Sequence, residues 1–426
     1  MTSDANYTQA FVWVWLPDQT KPVVAGLLSA SGKQLVFNYG RSYLARKDAI
    51  PLYEPELPLR SGILPLTAGL SMPNCIRDAA PDAWGRRIII NRKFGARSRN
   101  VDPGSVDEFT YLLESGSDRI GALDFQTSSA NYLAREGPEA SLHQLLDAAA
   151  LVEKGVPLPV ELDQALLHGT SIGGARPKAM ITSGNKKFVA KFSSQNDLYS
   201  VVKAEYIAMR LAADVGLTVA PVSLERAAGK DVLLIERFDR VKVEGGWSRK
   251  AMVSALTLLE LDELMARYAS YEQLATIIRH RFQTPRETLK ELFARMLFNI
   301  LCGNTDDHAR NHAAFWNGKE LSLTPAYDIC PQSRTGGEAT QAMLIMGQER
   351  ASQIALCLKA APLFLMNNAE AVLLATRQVK TIKQRWPAVC DEAKLSKVDR
   401  NFLWRRQFLN PYAFLEAPEA VTNLMD

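Results

Sequence analysis

The chain is poor in cysteine and histidine, with five of each among 426 residues. Cys75, Cys302, Cys330, Cys357 and Cys390 lie far apart and never at C-x-x-C spacing. That excludes a zinc ribbon, a dithiol redox motif and a disulfide framework, and it fits a reducing, cytoplasmic setting. Charge of neither sign dominates: 50 Lys and Arg against 46 Asp and Glu leave a formal net charge of +4. Bulk electrostatics therefore does not select nucleic acid as the ligand, and any such affinity has to come from a local patch. No run of about 18 apolar residues occurs, so membrane spanning is not expected. The opening MTSDANYTQAFVWVWLPD has no basic segment ahead of an apolar core, so a secretion signal is not expected either. A G-x-S-x-G elbow, an H-E-x-x-H pair and the G-x-x-x-x-G-K-[ST] spacing of a Walker A loop are all missing. Serine hydrolase chemistry is excluded with the first of them.

What remains is ordinary globular material, 47% hydrophobic and 23% charged, in a chain long enough for two or three cores. Residues 10 to 126 read as short strands (FVWVWL, VVAGLL, LVFNYG) parted by Pro, Gly and Asp clusters. A helix is expected over 82–94, opened by Pro81 and Asp82 and closed by Gly95. It leads into RRIIINRKFGARSR, whose Arg86, Arg87, Arg92, Lys93, Arg97 and Arg99 make a solvated helix face or a partner patch. LHQLLDAAALVEKG is expected to be helical and VPLPVELDQ to be a loop. AMIT, KFVAKF and DVLLIERF read as three strands, with a helix over 198–215 between the second and third. From about residue 249 the period is helical, most clearly in TPRETLKELFARMLFNILCG, where Thr284 can cap, Pro285 opens and Gly303 ends the helix.

Three stretches carry chemistry. In HGTSIGGARPKAMI the adjacent Gly173 and Gly174 lead into a hairpin, and glycines there let backbone N–H groups surround an anion. Taken alone they are equally a tight turn. Lys191 in KFVAKF stands one hairpin away, alone in an apolar strand, either to neutralise phosphate or to discourage pairing at a sheet edge. Glu205 on the next helix is a candidate ion-pair partner for it, as in protein kinases. In LCGNTDDHARNHAAFW, Asp306 and Asn311 are five residues apart, the separation of base aspartate and metal-binding asparagine in a kinase catalytic loop. Twenty-two residues beyond Asp306, Asp328 in LTPAYDICPQ ends a short apolar strand and offers a second hard oxygen ligand for Mg2+. His308 and His312 stand at i, i+4, which also leaves open a zinc pair with Asp306 or Asp307.

With these elements in this order, the chain resembles the HipA family of serine/threonine kinase toxins. The resemblance lies in AIPLYEPELPLRSG, RDAAPDAWGRR and SDRIGALDF, and then in SIGGARPKA, VAKF, LLIERFDR, GNTDDHARNHA and LTPAYDI. It implies an α+β, protein-kinase-like bilobal fold: an N-terminal β-rich subdomain over 1–130, a kinase N-lobe over 131–245 and a helical C-lobe over 246–426. It places Gly173, Gly174, Ala175, Lys178 and Lys191 on ATP phosphates, with Glu236 and Phe238 at the hinge that holds adenine. His308 and Tyr327 would neighbour the nucleotide, Asp306 would be catalytic, and Asn311 and Asp328 would hold Mg2+. Ser171 falls where the family carries an autophosphorylated loop serine. A HipB-like helix-turn-helix antitoxin is the implied partner, with DNA reached through that complex. The implied substrate is a translation-related protein such as an aminoacyl-tRNA synthetase. Arg176-Pro177 departs from the Gln-Glu of the best-known member and removes one loop N–H. A small-molecule phosphotransferase and a non-catalytic module of a DNA complex are the rival readings.

Overall fold

A computed structural model describes residues 7–138, 140–167, 170–171, 173–194, 197, 199–334 and 336–425. The chain divides into two compact units. The first comprises residues 1–194, 225–253 and 315–319, and the second residues 195–224, 254–314 and 320–426. Among the described residues no helix is long and apolar enough to cross a membrane.

The first unit opens with a five-stranded antiparallel sheet: β1 (Gln9–Val14), β2 (Val23–Ser31), β3 (Gln34–Tyr39), β4 (Ile63–Leu64) and β5 (Leu123–Gln126), in the order β4-β3-β2-β1-β5. The expected helix begins at Ala83 and ends at Phe94, with Gly95 as its C-cap at φ 55. Asp82 occupies the N-cap position, yet its side chain makes no capping bond to that helix. The basic stretch it carries is partly absorbed by structure. Arg86 pairs with Glu108 at 2.7 Å and lies over Tyr111, and Arg92 lies 4.0 Å from Glu114, while Arg87, Arg97 and Arg99 remain exposed.

The segment read as a loop at VPLPVELDQ contains a helix instead, Val160–Leu166, with Pro159 at its N-cap. Glu161 and Asp163 in its first turn favour the positive end of the helix dipole. Ala165 and Leu166 then bury into a core shared with Trp84, Leu146, Phe192 and Val232, and that burial overrides the turn-like composition. The helix before it, Leu142–Glu153, starts at a full capping box of Ser141 and Gln144.

Four strands rather than three form the second sheet: β6 (Lys178–Ser183), β7 (Lys186–Phe192), β8 (Val222–Ala227) and β9 (Lys230–Glu236), in the order β6-β7-β9-β8. β8 escaped the sequence because none of its residues is buried and it carries no apolar run. β7 lies between β6 and β9, so the edge-strand reading of Lys191 is overturned.

In the second unit the helix expected over 198–215 runs Val201–Asp214, and Leu198 lies outside the described residues. The long apolar helix runs Pro285–Cys302 and ends at Gly303 in the left-handed region, φ 72. Thr284 stands at its N-cap without a capping bond, its Oγ1 lying 3.4 Å from Thr288 Oγ1. Beyond residue 249, where the period is mainly helical, short strands also occur in the chain at Ala251–Ser254, Ala313–Trp316 and Leu321–Leu323. They are three or four residues long, too short to display an alternation.

The first unit also buries a network of ions. Asp118 meets Arg237 at 3.1 Å, Arg240 at 2.9 Å and Lys187 at 2.5 Å. Asp239 pairs with the same two arginines at 2.7 and 2.8 Å and accepts from Gly121 N at 2.8 Å. Burial pushes both carboxyls up, but Arg237 and Arg240 more than offset it: Asp118 is held well below the usual carboxylate range and Asp239 at about 2. Both groups therefore add stability above the ordinary carboxylate pKa of about 4, and lose it as pH falls through their depressed values. Removing one ion from such a cluster leaves buried charge uncompensated, at a cost of about 3–5 kcal/mol. Asp118→Ala should lower unfolding free energy by that amount in urea titrations at pH 7, and Asp239→Asn should flatten the decline between about pH 4 and 2.

Candidate active site

The glycine stretch sits at the head of β6, and its backbone is held from outside. Gly174, at φ 96, donates its N–H to Asp82 Oδ2 at 2.7 Å and accepts from Trp84 N at 3.2 Å. A side chain at Gly174 would meet that backbone strain and collide with Lys178 Nζ, which donates to the Gly173 carbonyl. Ala175 is exposed. Thr170, fully buried, accepts from Gly116 N at 2.8 Å. Ser171 is also buried, 2% exposed, and its Oγ has no hydrogen-bond partner among the described residues. His168, Gly169 and Ile172 lie outside the described residues.

Lys178 and Lys191 face each other in register across β6 and β7, and both are buried, 4% and 8% exposed. Like charges directly opposite in an antiparallel pair destabilise it, and burial adds a desolvation cost. Glu205 is buried on the helix Val201–Asp214. At the end of β9, Glu236 pairs with Lys186 at 2.6 Å. Phe238 packs edge-on against Phe315 with ring centroids 5.9 Å apart.

In the second unit the catalytic-loop candidate follows directly from Gly303. The loop is not helical at its histidines. Ala309–Asn311 is a single 3-10 turn, with His308 as its N-cap and His312 as its C-cap. This removes the common helical face that a zinc pair needs. His312 instead lies 2.9 Å from Asp307, whose other oxygen accepts from Tyr271 OH. All three are buried. Burial pushes Asp307 up, but His312 and the Tyr271 hydroxyl bring it below its usual range.

Asp306 precedes this anchor and is exposed. Its carboxyl is pushed up by burial and by the nearby charges of Asp328 and Asp307, against the opposing effect of His308. Asn311 turns back on the loop: its Nδ2 donates to the Asp306 carbonyl at 3.2 Å, and its backbone N–H donates to His308 O at 2.8 Å. With the amide nitrogen engaged, the oxygen end of Asn311 is the one left to accept. Asp328 adopts a left-handed backbone, φ 58, directly after Tyr327, whose hydroxyl donates to Arg310 O at 2.8 Å. The strand expected to end at Asp328 stops at Leu323; Ala326 makes one bridge to Val219.

That bridge depends on a residue the sequence reading passed over. Arg295, buried in the helix Pro285–Cys302, donates to Thr324 O at 2.9 Å and Thr218 O at 3.1 Å, and pairs with Glu291 at 2.8 Å. An arginine within the apolar run ELFARMLFNIL was the available signal. Asp82 likewise shows in the sequence only as a helix opener.

Oxygen donors dominate the second-unit cluster, which suits a hard cation such as Mg2+. Mutual repulsion of Asp306 and Asp328 points the same way, since a cation beside them relieves it. Among the described residues no group of three or more His, Cys, Asp or Glu could hold a metal ion. Asn311 and Asp328 would therefore need phosphate and water oxygens to complete a coordination shell.

With a glycine-led hairpin, a buried lysine pair and a D-x-x-x-x-N loop all present, the relatives can be compared. The HipA-like C-terminal domain matches residues 170–386 and the HipA N-terminal domain residues 13–126, so the chain belongs to the HipA family. It is 25% identical to a putative kinase, Y4mE, of Sinorhizobium fredii over 69% of this chain and 71% of that protein. It is 24% identical to the serine/threonine-protein kinase toxin HipA of Shewanella oneidensis, over 54% of this chain and 58% of that one. The chain thus spans somewhat more than half of that toxin's length in the matched region. Its fold is that of HipA from Shewanella oneidensis, solved with HipB and operator DNA: TM-score 0.67, 19% identity, 97% of this chain and 99% of that chain. The expected α+β, kinase-like fold is therefore the observed one.

The buried Asp307 anchor gives a direct test. Asp307→Ala leaves the Tyr271 hydroxyl and His312 without their shared acceptor, and should cost about 2–4 kcal/mol in urea unfolding. A loss below about 0.5 kcal/mol would show that the anchor does not hold the loop.

Proposed function

We propose that the chain is an ATP- and Mg2+-dependent protein serine/threonine kinase, the toxin of a toxin–antitoxin pair. The observation that carries this reading is the Asp306–Asn311 loop: Asn311 is bonded back to Asp306 while the charge of Asp328 acts on the same aspartate. Asp306 orients the acceptor hydroxyl and takes its proton at the carboxylate, and its raised pKa makes it the better base. Asn311 and Asp328 hold Mg2+, which neutralises phosphate charge when bound. Gly173, Gly174 and Ala175 take the phosphates through backbone N–H groups, with Lys178 and Lys191 supplying positive charge. Glu236 and Phe238 line the hinge at adenine, and His308 and Tyr327 flank the nucleotide. Positioning and charge stabilisation supply most of the rate gain in such sites.

Ser171 is the autophosphorylation site in this reading. A phosphate there carries nearly two charges, which its buried position cannot accept without displacement of the loop. Self-modification would thus switch the chain off. A HipB-like helix-turn-helix protein is the partner, DNA is reached through that complex, and the substrate is a translation-related protein such as an aminoacyl-tRNA synthetase. The solved complex of Shewanella oneidensis HipA with HipB and operator DNA supports the partner.

Incubation with ATP and Mg2+ followed by mass spectrometry tests the reading. Phosphate is expected on Ser171 and on a protein acceptor, and Asp306→Asn should slow both by about 100-fold or more. Full activity in Asp306→Asn, or phosphate on small molecules alone, would contradict a protein-kinase role.

A further inference from the structure

The carboxylate of Asp82 occupies a place on the glycine loop that a phosphate cradle needs for its ligand. Asp and Asn at an N-cap ordinarily turn back onto the amides of their own helix, which stabilises the helix start. Asp82 stands at the N-cap of Ala83–Phe94 and forgoes that bond. Its Oδ2 instead takes the Gly174 N–H at 2.7 Å, and a side-chain carbon at Gly173 would lie 2.9 Å from the same oxygen. The carboxylate thus lies against both glycines. Trp84, two residues on, completes the attachment: its N–H reaches Gly174 O, and its ring Nε1 donates to Lys178 O at 2.9 Å. Both backbone groups of Gly174 are consumed by the segment 82–84.

A carboxylate and a phosphate oxygen are the same kind of acceptor, anionic and strong, and one N–H cannot serve both at full strength. They also repel each other at contact distance. We infer that Asp82 is a latch, a positioning residue that competes with the nucleotide's phosphates for the Gly174 amide and so sets affinity for the phosphate end of the ligand. This rests on the nucleotide reading above and deepens it. The latch belongs to RDAAPDAWGRR, within the N-terminal segment of the chain. Anything that shifts the start of the helix Ala83–Phe94 therefore alters loop affinity without touching the nucleotide.

The test is isothermal titration of the full chain with ATP, ADP and adenosine in Mg2+, comparing wild type with Asp82→Asn and Asp82→Ser. Both replacements are good N-caps, so the helix start survives, and both remove the negative charge. The latch predicts ATP and ADP affinities about 5- to 30-fold tighter in both variants, the range of a charge-assisted hydrogen bond, with adenosine affinity unchanged. Equal or weaker ATP binding in the variants would overturn the latch while leaving the nucleotide reading intact. Tightening of ATP and adenosine by the same factor would also overturn it, because a structural effect does not distinguish phosphate. Absence of nucleotide binding in all three proteins would overturn both. Should Asp82→Ser fail to fold, the isosteric Asp82→Asn decides the matter alone.

Discussion

One buried anion, Asp118, holds together segments that the chain keeps far apart. It lies in SDRIGALDF and receives Arg237 and Arg240 from IERFDR and Lys187 from the β6–β7 hairpin. An isolated carboxylate in that position would carry a desolvation cost of several kcal/mol, and so would each arginine. Together they are tolerable, and their pairing fixes the end of β9 against the segment before β5. The hinge candidates Glu236 and Phe238 flank Arg237 directly, so their backbone is set by this pairing. The N-terminal segment therefore helps shape the end of β9 that carries the proposed hinge residues.

The same logic recurs at the glycine loop. Asp82 and Trp84, again from the N-terminal segment, hold Gly174 by both of its backbone groups. In the second unit a buried arginine plays the corresponding part. Arg295 gathers the carbonyls of Thr218 and Thr324, and Ala326 then bridges to Val219 just before Tyr327 and Asp328. Each candidate functional loop is thus short and irregular in itself, and each is placed by polar contacts to distant sequence. Rigid support of this kind suits chemistry that depends on position.

How much of this the sequence revealed follows from the range of each signal. The helices 83–94, 142–153 and 285–302 were legible because apolar period, opening prolines and closing glycines act within a few turns, although neither Asp82 nor Thr284 makes the capping bond its position suggests. β6, β7 and β9 were legible from their apolar runs, whereas exposed β8 and the strands of three or four residues were not. The loop over 156–164 misled because its prolines suggested an open connection, and burial of Ala165 and Leu166 decided otherwise. At the site, the spacing of Asp306, Asn311 and Asp328 was visible, but the partners that hold them were not. Tyr271, Arg295 and Asp82 act across 29 to 92 residues, a range at which local pattern is silent. The zinc reading of His308 and His312 failed for a related reason: it assumed a helix where the chain makes one 3-10 turn.

In the proposed function Asn311 and Asp328 supply two oxygen ligands to a cation that needs nucleotide phosphates to complete its shell. Electron paramagnetic resonance of Mn2+, an oxygen-seeking substitute for Mg2+, measures this directly. Weak Mn2+ binding to the chain alone, strong binding with ATP present, and loss of the ATP-dependent gain in Asp328→Ala are expected. Equally strong Mn2+ binding without ATP, or an ATP-dependent gain that survives Asp328→Ala, would contradict that proposal.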